Sequence, residues 1–380
     1  MSLPATLAAY FHTLDGTLLP ISGPIAIRFY GVTYILGFVI AAWVLVRLAQ
    51  RRLIAISAER VPDVMLLVVL GTLLGGRIGY IIFYETTPWT TRLANIYKVW
   101  DGGMASHGGM IGIILGCIVA ARMVDLTLAR GGNAEIPRRP RLARTLHVMD
   151  CMGLVACFGL FLGRIANFVN GELLGAIVSP PGTPGPWWTV QFPRELDGWE
   201  APGVLAPGTH TPALTPAQLD QLDALVSSVQ RPQDKWSDAL HYITSHAAKF
   251  QPQLEPLLSS RHPSQLYQAI AEGIVLGIAV WFIWRFPRRP GVIAAWWLMI
   301  YGVLRILTEL WRLPDPQFGA AMRIAGLSRG QWLSVAMIAG GALVLWLAHT
   351  ARGPRIGGWL RPNLESPSTP PTLVPKEPAS

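Results

Sequence analysis

The sequence predicts an all-α integral membrane protein with seven transmembrane helices and a small extracytoplasmic head. Three observations lead there. Only 14% of the 380 residues are charged while 51% are hydrophobic, against roughly 25% charged in a soluble domain. Apolar runs of about bilayer length recur seven times along the chain. The basic residues gather in alternate connections between those runs, as topology rules require of a multi-pass protein.

The apolar segments run over Ile25–Leu48, Pro62–Tyr84, Ser106–Met123, Val148–Phe168, Ser264–Trp284, Val292–Trp311 and Gln331–His349. Arg47, Arg51, Arg52 and Arg60 follow the first. Arg122, Arg130, Arg138, Arg139, Arg141 and Arg144 follow the third. Arg285, Arg288 and Arg289 follow the fifth, and Arg352, Arg355 and Arg361 the seventh. These connections are assigned to the cytoplasm, which puts the N-terminus outside and the C-terminus inside. The expected organisation is an extracytoplasmic segment over 1–24, helices one to four over 25–175, a head over 176–261, helices five to seven over 262–350 and a cytoplasmic tail over 351–380. The first 24 residues carry no Lys or Arg, so no cleavable signal peptide is expected.

The connection from about Gly175 to Arg261 is Pro- and Gly-rich in its first half, and Thr215-Pro216 reads as the cap and first turn of a helix through Val229. The Pro/Ser-rich tail after Arg361 is expected to be disordered. Cys117, Cys151 and Cys157 all lie in apolar runs and read as packing residues rather than a disulfide framework or a metal site. Glycines recur every fourth residue in segments two and three (Gly71, Gly75, Gly79; Gly108, Gly112, Gly116), which leaves bare backbone for close helix approach. The net charge of +9 sits in the cytoplasmic clusters and does not imply nucleic acid.

With orientation assigned, the intramembrane polar residues fall at one level. Tyr30 opens segment one, Arg77 and Tyr80 sit in the outer part of segment two, and His107 opens segment three. Arg164, Asn167 and Asn170 close segment four; His262, Ser264, Gln265 and Tyr267 open segment five; Arg305, Glu309 and Arg312 close segment six. A buried arginine costs about 2.5–3.5 kcal/mol on insertion scales. Snorkelling interfacial anchors would explain Arg28 and Arg312, but not Arg77, Arg164 and Arg305, which have apolar residues on both sides. A shared cavity explains the set better. Several guanidinium forks together suit an anion with phosphate geometry, and at lipid depth that anion is a phospholipid headgroup. The spacing of Arg305, Glu309 and Arg312 places them on one helix face, where Glu309 could pair with either arginine.

The stretch Gly163-Arg164-Ile165-Ala166-Asn167-Phe168-Val169-Asn170-Gly171-Glu172-Leu173-Leu174-Gly175 resembles the signature of prolipoprotein diacylglyceryl transferases. So, in order, do Phe29-Tyr30-Gly31, Gly75-Gly76-Arg77-Ile78-Gly79-Tyr80, Trp100-Asp101-Gly102-Gly103-Met104, His107-Gly108-Gly109, Arg261-His262-Pro263-Ser264-Gln265-Leu266-Tyr267, and Tyr301-Gly302 through Arg305, Glu309 and Arg312. The resemblance implies seven spans in a bacterial inner membrane. It implies transfer of diacylglycerol from phosphatidylglycerol to the lipobox cysteine of preprolipoprotein signal peptides, at the outer leaflet. Residues carried over by motif are Tyr30, His107, Arg164, Asn167, Glu172, Gly175, Arg305, Glu309 and Arg312. The long Pro-rich head and Gln268, standing where a glutamate is expected, depart from the pattern.

The implied chemistry sets two physical tasks. Cations must stabilise the leaving phosphate, for which Arg164 and Arg305 are the candidates. A thiol with a pKa near about 8.5 must lose its proton, and His107 is the candidate base, or a hydrogen-bonding residue at a helix start. Tyr30, Arg77, Asn167, Asn170, Glu172, Gly175, Glu309 and Arg312 are the candidate substrate-binding set. No metal or other cofactor is expected. Partners are phosphatidylglycerol, lipobox signal peptides and membrane lipids. A transporter would also explain buried arginines, but it would place them at the midplane between repeated halves. A scaffold protein would concentrate polar groups in the head.

Overall fold

The computed structural model of the chain describes residues 8–22, 25–83, 97, 105–128, 137–206, 211–313, 327–351 and 353–360. Trp100–Met104 and the tail from Arg361 onward lie outside these residues. Nine helices carry the labels used below. They are α1 Phe29–Gln50, α2 Val61–Phe83, α3 Ser106–Ala120, α4 Pro140–Val169, α5 Pro216–Val229, α6 Trp236–Ser245, α7 Ser264–Ile283, α8 Val292–Thr308 and α9 Arg329–Ala351. Six of the described helices are long and apolar enough to cross a membrane; α3 is apolar but shorter. Their outward surface is lipid-like, with Ile35, Leu74, Ile278 and Trp346 all exposed, the reverse of a soluble surface.

The fold departs from the all-α expectation in small strands. These are β1 Tyr10–Phe11, β2 Thr17–Ser22, β3 Ile25–Arg28, β4 Ile177–Ser179, β5 Val190–Gln191, β6 Trp199–Ala201, β7 Val204–Leu205 and β8 Ser260–Arg261. β3 pairs antiparallel with β2, so Ile25–Arg28 are extended and α1 begins at Phe29 instead of Ile25. A four-stranded sheet in the order β1-β5-β8-β4 underlies the head. Since β1 pairs parallel with β5, the head is built from residues on both sides of the assigned 24/176 boundaries.

Over that sheet, α5 and α6 close an apolar core of Phe11, Leu196, Trp199, Leu222, Val226, Leu240, Ile243, Leu254 and Leu257. The helix expected after Thr215 runs from Pro216 to Val229, opened by a reciprocal capping box between Thr215 and Gln218. Burial holds His12 below the ordinary imidazole range. Its neutral ring donates to the Phe168 carbonyl at 2.7 Å, fastening the N-terminal arm to the end of α4.

Two ends of the bundle differ in chemistry. At one end a dry core joins Leu45, Ile54, Val61, Cys117, Cys151, Leu154, Trp284 and Ile293. There Asp150 caps the first turn of α8, accepting from Gly291 N at 2.7 Å and Ala294 N at 2.8 Å. All three cysteines are buried and free, as packing residues should be. The polar residues singled out above sit at the opposite end.

The glycine repeats of α2 and α3 face each other. A Cβ at Gly112 would stand 1.9 Å from the Gly71 carbonyl oxygen, and one at Gly75 would stand 2.3 Å from that of Gly108. The obstacles are backbone, which cannot step aside, so this helix pair closes only on glycine. Gly112→Leu is therefore expected to destabilise the bundle by about 3 kcal/mol, while Gly340→Ala, mid-helix with nothing among the described residues within 4 Å of its Cβ position, should melt no lower than the wild type and stabilise by up to about 1 kcal/mol. Thermal unfolding in detergent checks both; a Gly112→Leu protein melting with the wild type would contradict the packing argument.

Candidate active site

The site begins with one carboxylate. Glu272 lies fully buried in α7 and faces two arginines from neighbouring helices. Arg164, near the end of α4, places Nη2 at 2.9 Å and Nε at 3.0 Å from Glu272 Oε2. Arg305, near the end of α8, places Nη1 at 3.6 Å from Oε1. Each carboxylate oxygen thus serves one guanidinium. Arg164 is held by hydrogen bonds. Arg305 is held by charge alone, and its Nη1 has no hydrogen-bond partner among the described residues. Tyr301 of α8 adds its hydroxyl to the surroundings of Arg164 and stacks on Trp297, with ring centroids 5.0 Å apart.

The backbone of α7 is adapted at this point. Residues Ala269–Val275 form a π-helical turn centred on Glu272; such turns are rare and recur at functional sites. The next residue, Gly273, lets Phe161 of α4 approach, since a Cβ there would lie 2.6 Å from the Phe161 Cβ. That close approach sets α4 and α7 near enough for the Arg164–Glu272 pair.

Beyond Arg164 the signature stretch forms a tight turn. Glu172 N donates to Asn167 O at 2.9 Å. Gly171 and Leu173 both adopt left-handed backbone, with φ of +65° and +57°; for leucine this is strained and persists only where neighbours enforce it. They do. Ser264 Oγ donates to Leu173 O at 3.1 Å, Gln265 Nε2 donates to Glu172 O at 2.5 Å, and Leu313 N donates to Leu174 O at 3.3 Å. A Cβ on Gly175 would stand 2.1 Å from His262 O, so its place is explained by backbone packing. The Gly175 carbonyl accepts from Arg261 Nη1 at 3.0 Å. Arg261 is itself fully buried and donates through Nε to Glu195 of the head. Glu195 also accepts from Ser259 Oγ at 2.6 Å, and burial pushes its carboxyl up from the ordinary range.

The other expected residues distribute around this turn. The Tyr30 and Tyr34 hydroxyls share a hydrogen bond of 2.8 Å, and Tyr30 lies within electrostatic reach of Arg164 and Glu172. Asn167 is buried under the turn, and Asn170 Nδ2 donates to Glu172 Oε1 at 3.3 Å. Arg77 is buried in α2 with its guanidinium 5.8 Å from the Tyr80 ring centre. His107 occupies the second residue of α3, but its side chain lies outside the described residues.

Two expectations need correction. Helix α8 ends at Thr308, Glu309–Trp311 form a 3₁₀ turn and Arg312 is extended, so Arg305 and Arg312 do not share a helix face. Arg312 instead forms a β-bridge with Gly175. Glu309 does not serve Arg305; it accepts from Ser328 Oγ, just before α9. Arg305's carboxylate is Glu272, which sequence reasoning passed over. The signal was present: Glu272 is the sole acidic residue in segment five, and an intramembrane acid is a functional candidate by default.

The family model for prolipoprotein diacylglyceryl transferase matches residues 17–347. The chain belongs to this family. Its relatives include phosphatidylglycerol–prolipoprotein diacylglyceryl transferases from Bdellovibrio bacteriovorus, Stenotrophomonas maltophilia and Burkholderia mallei. The first is 33% identical, with 92% of this chain and 97% of the relative covered. The second is also 33% identical, with 90% and 94% covered. The third is 34% identical, with 87% and 94% covered.

Because Glu272 is the one carboxylate that both arginines face, its loss leaves both without that counter-charge in a buried setting. Glu272→Gln is expected to lower stability by about 3 kcal/mol, read as a fall in melting temperature in detergent. An unchanged melting temperature would mean that Glu272 does not hold the arginines.

Proposed function

We propose that this member of the transferase family moves the diacylglyceryl group of phosphatidylglycerol to the thiol of a lipobox cysteine, with Arg164 and Arg305 binding the phosphate. The observation that carries the reading is the two-to-one ratio of guanidinium to carboxylate. Arg164, Arg305 and Glu272 together hold a net positive charge in a buried setting, with Arg305 Nη1 lacking a hydrogen-bond partner among the described residues. A phosphate diester supplies one negative charge and acceptor oxygens in the geometry that guanidinium forks match.

In the reaction the thiol sulfur attacks a glycerol carbon of the diacylglyceryl group. A C–S bond forms and the C–O bond to phosphate breaks, with the electron pair leaving on glycerol phosphate. Charge grows on the leaving phosphate as that bond breaks, so fixed guanidiniums stabilise the transition state more than the ground state. The thiol proton passes to a base, the role assigned to His107. Tyr30, Asn167, Asn170 and Glu172 border the same end of the bundle and bound the headgroup space. Glu309, bonded to Ser328, anchors the start of α9 beside it. Arg77 and Arg312 extend the cationic surroundings, and Gly175 sets the turn beneath.

The topology completes the reading: seven spans, N-terminus outside, C-terminus inside, and the head over the outer leaflet of the bacterial inner membrane. The pairing of β1 with β5 supports it, because the N-terminal arm and the head must then share a side. Reporter fusions after Arg52, Arg139 and Arg289 should give cytoplasmic signals, and fusions within 202–212 an outside signal. A cytoplasmic signal from the head would overturn the orientation.

The chemical test is lipidation of a lipobox peptide by purified, folded variants with phosphatidylglycerol. Arg164→Ala and Arg305→Ala should lose transfer by at least about a thousandfold. Arg305→Lys should stay severely impaired, because an ammonium keeps the charge but not the fork. His107→Gln should be slow at neutral pH and partly recover as pH approaches the thiol's own pKa. Near-wild-type rates in both alanine variants would refute the phosphate site; a pH-independent ratio of wild type to His107→Gln would remove His107 from the base role.

A further inference from the structure

One face of α7 holds more polar capacity than the protein uses. Gln265, Gln268 and Glu272 fall at i, i+3 and i+7, within one stripe of the helix. All three are fully buried. Glu272 meets the arginines, and Gln265 Nε2 bonds to the Glu172 carbonyl. Gln268, between them, has neither its Nε2 nor its Oε1 in a hydrogen bond among the described residues, and Gln265 Oε1 is likewise unpartnered among them. Buried side-chain amides are almost always satisfied, and leaving one unsatisfied costs more than the bond itself contributes. A methionine would fill the same volume without that cost. Gln268 is also electrically neutral, so it leaves the net positive charge of the neighbouring arginine pair intact.

We propose that Gln268 is the headgroup-recognition residue of this enzyme, its amide bonding the hydroxyls of the terminal glycerol of phosphatidylglycerol while Arg164 and Arg305 hold the adjoining phosphate. The proposal rests on the phosphate-site reading above. A primary amide offers two donors and an acceptor, which suits a vicinal diol that both donates and accepts. The position suits it too. Gln268 stands one turn from Glu272 on the same stripe, the spacing at which a headgroup glycerol could meet it from a phosphate held between the arginines.

The test uses the full-length protein in detergent–lipid micelles. Lipobox-peptide lipidation is measured with phosphatidylglycerol and with phosphatidylpropanol, which keeps the phosphate and the chain length but lacks both hydroxyls. Wild type should favour phosphatidylglycerol by about tenfold in kcat/KM. Gln268→Met should melt no lower than wild type, and its preference should fall to near one. Gln268→Glu, which retains acceptors, should keep part of the preference. A wild type indifferent to the two lipids would overturn the proposal without any variant, as would a Gln268→Met protein that keeps the full preference. Failure of the underlying reading looks different: Arg305→Ala would then turn over both lipids at wild-type rates.

Discussion

A single buried carboxylate shared by two arginines organises this protein. Glu272 gathers Arg164 from α4 and Arg305 from α8 onto α7, and so ties together three helices that approach one another at the polar end of the bundle. In a low-dielectric setting neither arginine would be tolerated without a counter-charge, and two carboxylates would cancel the field that an anionic ligand needs. One acid for two bases is the arrangement that is both affordable to fold and attractive to phosphate. The π-helical turn around Glu272 and the close contact of Gly273 with Phe161 are the backbone's accommodation to it. The dry core at the other end of the bundle supplies the stability against which that polar end is held.

The signature turn transmits the same constraint outward. Left-handed Gly171 and Leu173 reverse the chain immediately after α4, and hydrogen bonds from the Ser264 and Gln265 side chains and from the Leu313 backbone hold that reversal from two other segments. Arg261, paired with Glu195 inside the head, also donates to the Gly175 carbonyl, so that the head's fully buried ion pair is bonded directly to the turn. Breaking that pair would leave a charge stranded in the head's base. The head and the arginine site are therefore parts of one mechanical unit, joined by a few residues between Asn170 and Ala176.

Much of this was legible in the sequence because apolar length and charge placement report directly on membrane helices. Six of the seven apolar segments appear as long helices and the third as a shorter one, although α4 begins at Pro140 rather than Val148 and so takes Arg141 and Arg144 into the helix; the four-residue glycine spacing signalled close helix approach, which the α2–α3 pair supplies. The capping signal at Thr215 located α5. What stayed hidden had little periodic signal. Strands of two to four residues, such as β1 and β5, are too short for alternation to show. Apolar Ile25–Ile27 suit strand or helix equally by composition, and pairing with β2 decides for strand, so that α1 starts at Phe29. The i+7 argument for Arg312 assumed a helix that stops at Thr308. Glu272 gives no cluster signal, because it stands alone among apolar neighbours while the other polar residues gather near helix ends.

The N-terminal arm has a consequence for how the protein is made. Tyr10 pairs with Val190, and His12 reaches Phe168 at the end of α4. An arm synthesised first thus acquires its partners only after four helices have been laid down and the first half of the head has emerged. Its docking is a late, long-range step of the kind that slows folding. Until then, Phe11 is an apolar side chain without its core, and the head lacks an edge strand. Docking of the arm therefore waits on α4 and the first half of the head, and a chain halted before Val190 emerges would have α1 to α4 laid down and its arm undocked.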